Sequence, residues 1–93
     1  MKVQGGAERP LFMWEIINQR VQVEVLFGLS QAQPQRFTWQ GREITVKKVN
    51  LVYSSFVGRA KVYYFAVSDD TNYFKLQLET DKLAWTLVEV YSD

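Results

Sequence analysis

The stretch Arg36-Phe37-Thr38-Trp39-Gln40-Gly41-Arg42-Glu43-Ile44-Thr45-Val46 constrains the fold more tightly than any other part of the chain. Two alternating segments are joined by only Gln40-Gly41, and glycine supplies the positive φ that a two-residue turn between antiparallel strands needs. The spacing predicts a hairpin with Phe37, Trp39, Ile44 and Val46 on one face. Arg36, Thr38, Glu43 and Thr45 then fall on the other, because successive side chains of a strand point to opposite sides. Everything downstream reads as further strand laid beside this hairpin.

Upstream of it, Val21, Val23, Val25 and Phe27 alternate with Gln22, Glu24 and Leu26, the period of a half-buried strand. Gly28 to Pro34 reads as a polar loop closed by a proline. Past the hairpin the phase breaks: Ile44 and Val46 are in step, while Val49, Leu51 and Tyr53 are in step with each other but one residue off. The slip falls at Lys47-Lys48 and predicts a β-bulge or sharp bend, a device that lets a small sheet curl. Ser54 to Arg59 reads as a turn with Phe56-Val57 at its tip, folding back onto the end of the barrel or protruding as a contact, with folding back preferred. Val62 to Val67 is apolar or aromatic on both faces. Asp69-Asp70-Thr71-Asn72 is a turn of side chains that bond their own backbone. Phe74, Leu76 and Leu78 alternate with Tyr73, Lys75, Gln77 and Glu79, and Thr80-Asp81-Lys82 turns the chain into a last strand, Leu83 to Tyr91. There Trp85 and Leu87 share one phase and Val88 and Val90 the other, which marks a second irregularity near Leu87-Val88.

Residues 1–9 carry a glycine pair and no pattern and are expected to be a flexible arm, leaving 10–93 as a single β domain. Leu11 to Asn18 is dense in apolar side chains, and its spacing fits a helical turn or two about as well as an irregular cover. It is expected to cap the outer face of the Val62–Val67 strand. The alternative for that face is contact with another copy of the chain. The resulting fold class is all-β: a small antiparallel meander of about six strands curled into a partly open barrel of SH3-like proportions, with a short N-terminal apolar cap segment.

Composition removes whole classes of chemistry. The 93 residues include no cysteine and no histidine, so disulfides, thiolate metal sites, cysteine nucleophiles and the usual near-neutral general base are excluded. No apolar run approaches the ~18 residues of a membrane span, and a soluble cytoplasmic protein is expected. There is no P-loop, nucleophile elbow or metal-spaced cluster. Asp69-Asp70 is the one carboxylate pair that invites a Mg²⁺ reading, and adjacent turn residues usually serve the turn. The expectation is a protein without catalytic residues, cofactor or metal, and with no membrane or small-molecule partner.

Several segments together suggest a relationship. Val21-Gln-Val-Glu-Val, Pro34-Gln-Arg-Phe-Thr-Trp-Gln-Gly-Arg-Glu-Ile-Thr-Val46, Tyr73-Phe-Lys-Leu and Trp85-Thr-Leu-Val-Glu-Val-Tyr resemble a family of small bacterial β domains of unknown function. That family shares an Arg-Phe-x-Trp-x-Gly-Arg core motif and a tryptophan-bearing last strand. The resemblance covers about residues 21–93 and implies the same small β fold. Members are encoded alone or beside genes for damage-tolerant DNA polymerases, so it also implies a DNA-related setting. Ile44 departs from the family, which carries an aromatic there, and Tyr53 stands in for a tryptophan expected after Val49.

The near-zero total charge of +1 hides a segregated chain. Arg36, Arg42, Lys47, Lys48, Arg59 and Lys61 face a single acid, Glu43, across residues 36–61. From Asp69 onward six acids face two lysines. With Trp39, Tyr53 and Tyr63 interleaved, the basic block is a candidate binding surface that could track a phosphate backbone and stack bases. The competing reading is cross-strand pairing between oppositely charged strands, with Trp39 and Trp85 serving the core. A non-catalytic binding or adaptor module is the expected function, acting through protein–protein interaction or self-association. The alternative is a nucleic-acid-binding accessory domain.

Overall fold

A computed structural model describes residues 13–28 and 31–92. Seven strands, β1 (Met13–Phe27), β2 (Ala32–Trp39), β3 (Arg42–Thr45), β4 (Lys48–Val57), β5 (Ala60–Ser68), β6 (Asn72–Glu79) and β7 (Ala84–Ser92), form one antiparallel sheet in the order β3-β2-β1-β7-β6-β5-β4. β3 and β4 are consecutive in the chain yet lie at opposite edges. In a flat sheet with strands ~4.8 Å apart those edges would be ~29 Å apart, whereas the three steps from Thr45 to Lys48 reach at most ~11 Å. The sheet therefore has to curl until its edges nearly meet. The result is the partly open barrel expected from the sequence, with seven strands because the long second arm of the hairpin divides into β3 and β4.

The division occurs where the phase slips. Val46 N–H donates to the Gln35 carbonyl at 2.9 Å and Lys47 N–H donates to the Ser68 carbonyl at 2.8 Å, so adjacent peptides bond to opposite halves of the barrel. A bulge follows at Asn50, where the β4–β5 register shifts between Val49 and Leu51. Its effect corrects one expectation: Val49 and Val52 lean on the core, while Leu51 and Tyr53 share the outer face. The irregularity expected near Leu87-Val88 is also present, since Lys75 pairs with Glu89 and Leu76 with Leu87, leaving Val88 bulged. On the other side of β7, β1 shifts register between Ile16 and Gln19, with Asn18 at φ 51°. Asparagine is one of the few residues that enters this left-handed region readily.

β1 belongs to both halves. Met13 to Val21 pairs with β7 and Gln22 to Phe27 pairs with β2. The expected cap is corrected accordingly: residues 13–18 lie in the plane of the sheet as the beginning of β1 and do not cover β5. The backbone of β7 needs a ladder partner on that side, and this demand outweighs the helix-compatible spacing of Met13, Trp14 and Ile17. Leu11, Phe12 and the arm at 1–9 lie outside the described residues.

Gln40 and Gly41 sit at φ 53° and 72° between the paired Trp39 and Arg42, the two positive values of a type I′ turn. The hairpin delivers Phe37, Trp39 and Ile44 into the core against Phe65, Val67, Phe74, Leu76, Leu78, Trp85, Leu87 and Val90. The Phe74 ring meets Phe37 edge-on at 5.1 Å and Trp39 at 6.5 Å, and so joins the two halves. Pro34 is buried and pairs with Val25 of β1 beside the bulged Gln35, and it lies beyond the end of β3, at the irregular part of the ladder where a proline is tolerated. The Ser54–Arg59 turn is corrected to a two-residue turn, Gly58-Arg59, with Gly58 at φ 64°. Phe56 and Val57 end β4 and are exposed, so they do not fold back onto the barrel.

Removing the ring that joins the two halves, Phe74→Ala, is expected to cost about 3–5 kcal/mol, read from the midpoint of urea unfolding. Leu83 pulls the other way. It is 74% exposed and held at φ 52°, a conformation costly for a branched side chain. Leu83→Asn should raise stability by about 0.5–1 kcal/mol, a gain of a few degrees in melting temperature.

Candidate functional site: the outer face and the open edge

The eight residues singled out from the sequence do not form one surface. Arg36 lies on the outer side of β2 and pairs with Glu24 on β1 at 2.8 Å. Arg42 and Lys47 flank a depression of about 460 Å³ facing the Asp69–Asn72 turn. Lys48 opens β4, whereas Arg59 and Lys61 lie at its far end, ~30 Å away at the rise of a strand. Tyr53 faces outward, but Tyr63 is half-buried against the core, with Lys61 Nζ 5.2 Å from its ring. Wholesale pairing with the acidic strands is absent too. Among the described residues the ion pairs are Arg20–Glu79, Arg36–Glu24, Lys75–Glu89 and Lys82–Glu79. Arg42, Lys47, Lys48, Arg59 and Lys61 take part in none of them. Four of these cations bracket β4, with Lys47-Lys48 at its start and Arg59 and Lys61 just past its end.

The more coherent surface is the outer face of the sheet formed by β1, β7, β6, β5 and β4. Register places Trp14, Tyr91 and Tyr73 in one row, with the two tyrosine rings 6.5 Å apart. A second row runs Ile16, Glu89, Lys75, Ala66, Leu51, and a third contains Gln77, Tyr64 and Tyr53. Tyr53 and Tyr64 stack at 5.0 Å, and Gln77 Nε2 donates to the Tyr64 hydroxyl at 3.1 Å. Two aromatic clusters thus flank a central charge pair. Glu89 accepts from Trp14 Nε1 at 3.0 Å and from Lys75 Nζ at 3.5 Å, and the lysine lies 5.9 Å and 5.8 Å from the centres of the Tyr53 and Tyr64 rings. The hydrogen bond to the Tyr53 side chain holds the Lys75 ammonium above its ordinary pKa of 10.5; burial opposes this and the Glu89 charge supports it.

Trp14, Tyr73 and Tyr91 escaped sequence reasoning as site residues. The signal for Tyr73 was present, since it occupies the outward phase opposite Phe74 and Leu76. Trp14 was hidden because its segment reads as a cap.

Two concave regions lie elsewhere on the barrel. A seam of about 510 Å³ separates the start of β2 from the start of β4 and is lined by Gln31, Gln33, Gln35, Lys47, Lys48 and Asn50, among others. An apolar hollow of about 690 Å³ lies beside the bend of β1, against Val23, Val25, Phe27, Leu78, Leu83 and Trp85.

No family model, curated protein or solved structure matches this chain. Chemistry at the surface must therefore be read from the residues themselves. Asp69 Oδ1 accepts from Thr71 N–H at 2.8 Å and Asn72 N–H at 2.7 Å, so this carboxylate organises the turn. Among the described residues no three carboxylates cluster, and no helix is long and apolar enough to cross a membrane.

The raised pKa of Lys75 has a definite sign in stability. The fold favours the charged ammonium, so its contribution is fully present below the unfolded value and is lost as pH climbs through the higher folded one. Melting temperature should accordingly fall more steeply above about pH 10.5 in the native protein than in Lys75→Met, measured by thermal denaturation across an alkaline series.

Proposed function

We propose that the protein is a non-catalytic binding module whose outer sheet face docks a protein partner or a second copy of the chain. The observation that carries this reading is the row geometry above. Trp14, Ile16, Leu51 and Tyr73 are each more than half exposed, and they adjoin Tyr91, Tyr53 and Tyr64 on one continuous face. Scattered exposed apolar residues need no explanation, but a contiguous aromatic patch with polar groups inside it is the composition of an interface. The Lys75–Glu89 pair supplies orientation within the patch. Tryptophan and tyrosine supply the large, stiff contact area that dominates binding energy.

A specific observation favours a second reading, nucleic-acid contact. Among the described residues the cations bracketing β4 form no ion pairs, and the Tyr53–Tyr64 stack lies between them. Together with the DNA-related setting implied by the sequence resemblance, this describes an accessory domain that holds a single strand by phosphate contacts and stacking. The wide spacing of the cations ranks it second.

Sedimentation velocity tests self-association directly. A mass that rises with protein concentration is expected, and Trp14→Glu combined with Tyr91→Glu should return the protein to monomer; a monomer at the highest concentrations reached would confine the first reading to a different protein partner. For the second reading, single-stranded DNA and RNA at low salt should shift on a native gel, with Lys47→Glu plus Lys48→Glu abolishing the shift. The absence of any shift at low salt would end it.

A further inference from the structure

We infer that β4 is a docking edge for an extended peptide of another protein, an apolar run with acidic residues at both ends, added to the sheet as an eighth strand. This inference rests on the binding-module reading and names the chemistry of the partner. β4 is ten residues long and last in the sheet order, so one side of its backbone has no ladder partner among the described residues. Edge strands are ordinarily protected by shortness, charge or proline. β3, the other edge, is only four residues long and carries Arg42 and Glu43. Apart from the bulge at Asn50, a further device that blunts an edge, β4 has none of these protections between Val49 and Gly58, a stretch without a charged residue or a proline.

The side chains along this edge match a strand-shaped ligand. Leu51, Tyr53, Ser55 and Val57 form its outward row, continuous with the aromatic face, and Val52, Ser54 and Phe56 form the other. Leu51, Phe56 and Val57 are 57%, 67% and 59% exposed, although each sits inside regular strand. A peptide paired with β4 would cover them with its own alternate side chains, as strand addition does elsewhere. At the start of β4 the seam offers the side-chain amides of Gln31 and Gln33, groups that both donate to and accept from a main chain regardless of its sequence.

Charge selects among occupants. Lys47 and Lys48 precede the uncharged run and Arg59 and Lys61 follow it, with no acid between Glu43 and Asp69. A second copy paired antiparallel along β4 would bring the cationic start of each strand beside the cationic end of the other, and like charges opposite one another destabilise a ladder. A nucleic acid would find phosphate partners at the two ends and an apolar row between them. An extended segment of about ten residues with acids at its ends satisfies the backbone, the apolar row and both cationic clusters together.

A fluorescein-labelled peptide of about ten residues, alternating valine and threonine with glutamates at both ends, is a direct probe by anisotropy. Binding is expected, with loss of signal when proline replaces a central residue and weakening of about tenfold or more when the glutamates become lysines. Lys48→Glu with Arg59→Glu should reverse that preference, so the lysine-ended peptide binds better. This gain also shows that the variant has folded. Absence of binding, equal binding of the two peptides, or indifference to proline would overturn the inference. So would formation of a mixed dimer between native and charge-reversed protein, which would assign the edge to a second copy. If the outer face still associates while the peptides fail, the binding-module reading stands and the edge assignment alone falls.

Discussion

Two adjacent hydrogen bonds set the architecture. Val46 N–H reaches Gln35 on β2 and Lys47 N–H reaches Ser68 on β5, so one peptide step carries the chain from the β3 edge to the β4 edge, across what would otherwise be the full width of the sheet. Every other irregularity serves that crossing. β1 runs long enough to pair with β7 in its first half and β2 in its second, and the ladders shift register at Gln35, Asn50, Val88 and between Ile16 and Gln19. Each bulge adds local twist, and the sum coils a seven-stranded sheet into a barrel small enough for Phe74 to touch both Phe37 and Trp39. The coil stops short of closure, because Val46 and Lys47 bridge the gap with chain rather than with a ladder. An open edge and a polar seam follow directly.

The fold was legible wherever the pattern reported a local constraint. Gln40-Gly41 specified its turn because the two-residue connection required positive φ, and the phase slip at Lys47-Lys48 located the crossing. Legibility failed where tertiary pairing overruled local preference. Ser54 and Ser55 belong to turn-favouring chemistry, yet they extend β4 because each pairs across to β5. The segment around Trp14 reads as covered because it is apolar, but it is recruited as ladder for β7 and leaves Trp14 and Ile16 facing outward.

The binding surface was less legible than the fold for a geometric reason. A charge cluster that is compact along the chain is stretched by β structure at ~3.3 Å per residue, and parity alternately hides and shows its members. The basic block therefore scatters from the outer side of β2 to the far end of β4, and Tyr63 turns inward while its neighbour Tyr64 faces solvent with Tyr53. Conversely, the aromatic face assembles Trp14, Tyr73 and Tyr91 from three strands and two distant parts of the chain. Only the closing β1–β7 ladder brings the first of these beside the other two.

Face and edge are joined through Lys75. It lies beside the stacked rings of Tyr53 and Tyr64 while its ammonium pairs with Glu89, which in turn holds the Trp14 indole. Tyr53 is thereby fastened to the sheet on one side while the backbone of its own strand stays open on the other. An edge held in place by such contacts loses little conformational freedom when a strand is laid against it, and preorganisation of this kind lowers the cost of association. Because the outward row of β4 continues the aromatic face, a ligand that begins at the edge has apolar surface to extend across. The same residues that leave β4 unprotected thus give it a direction in which to bind.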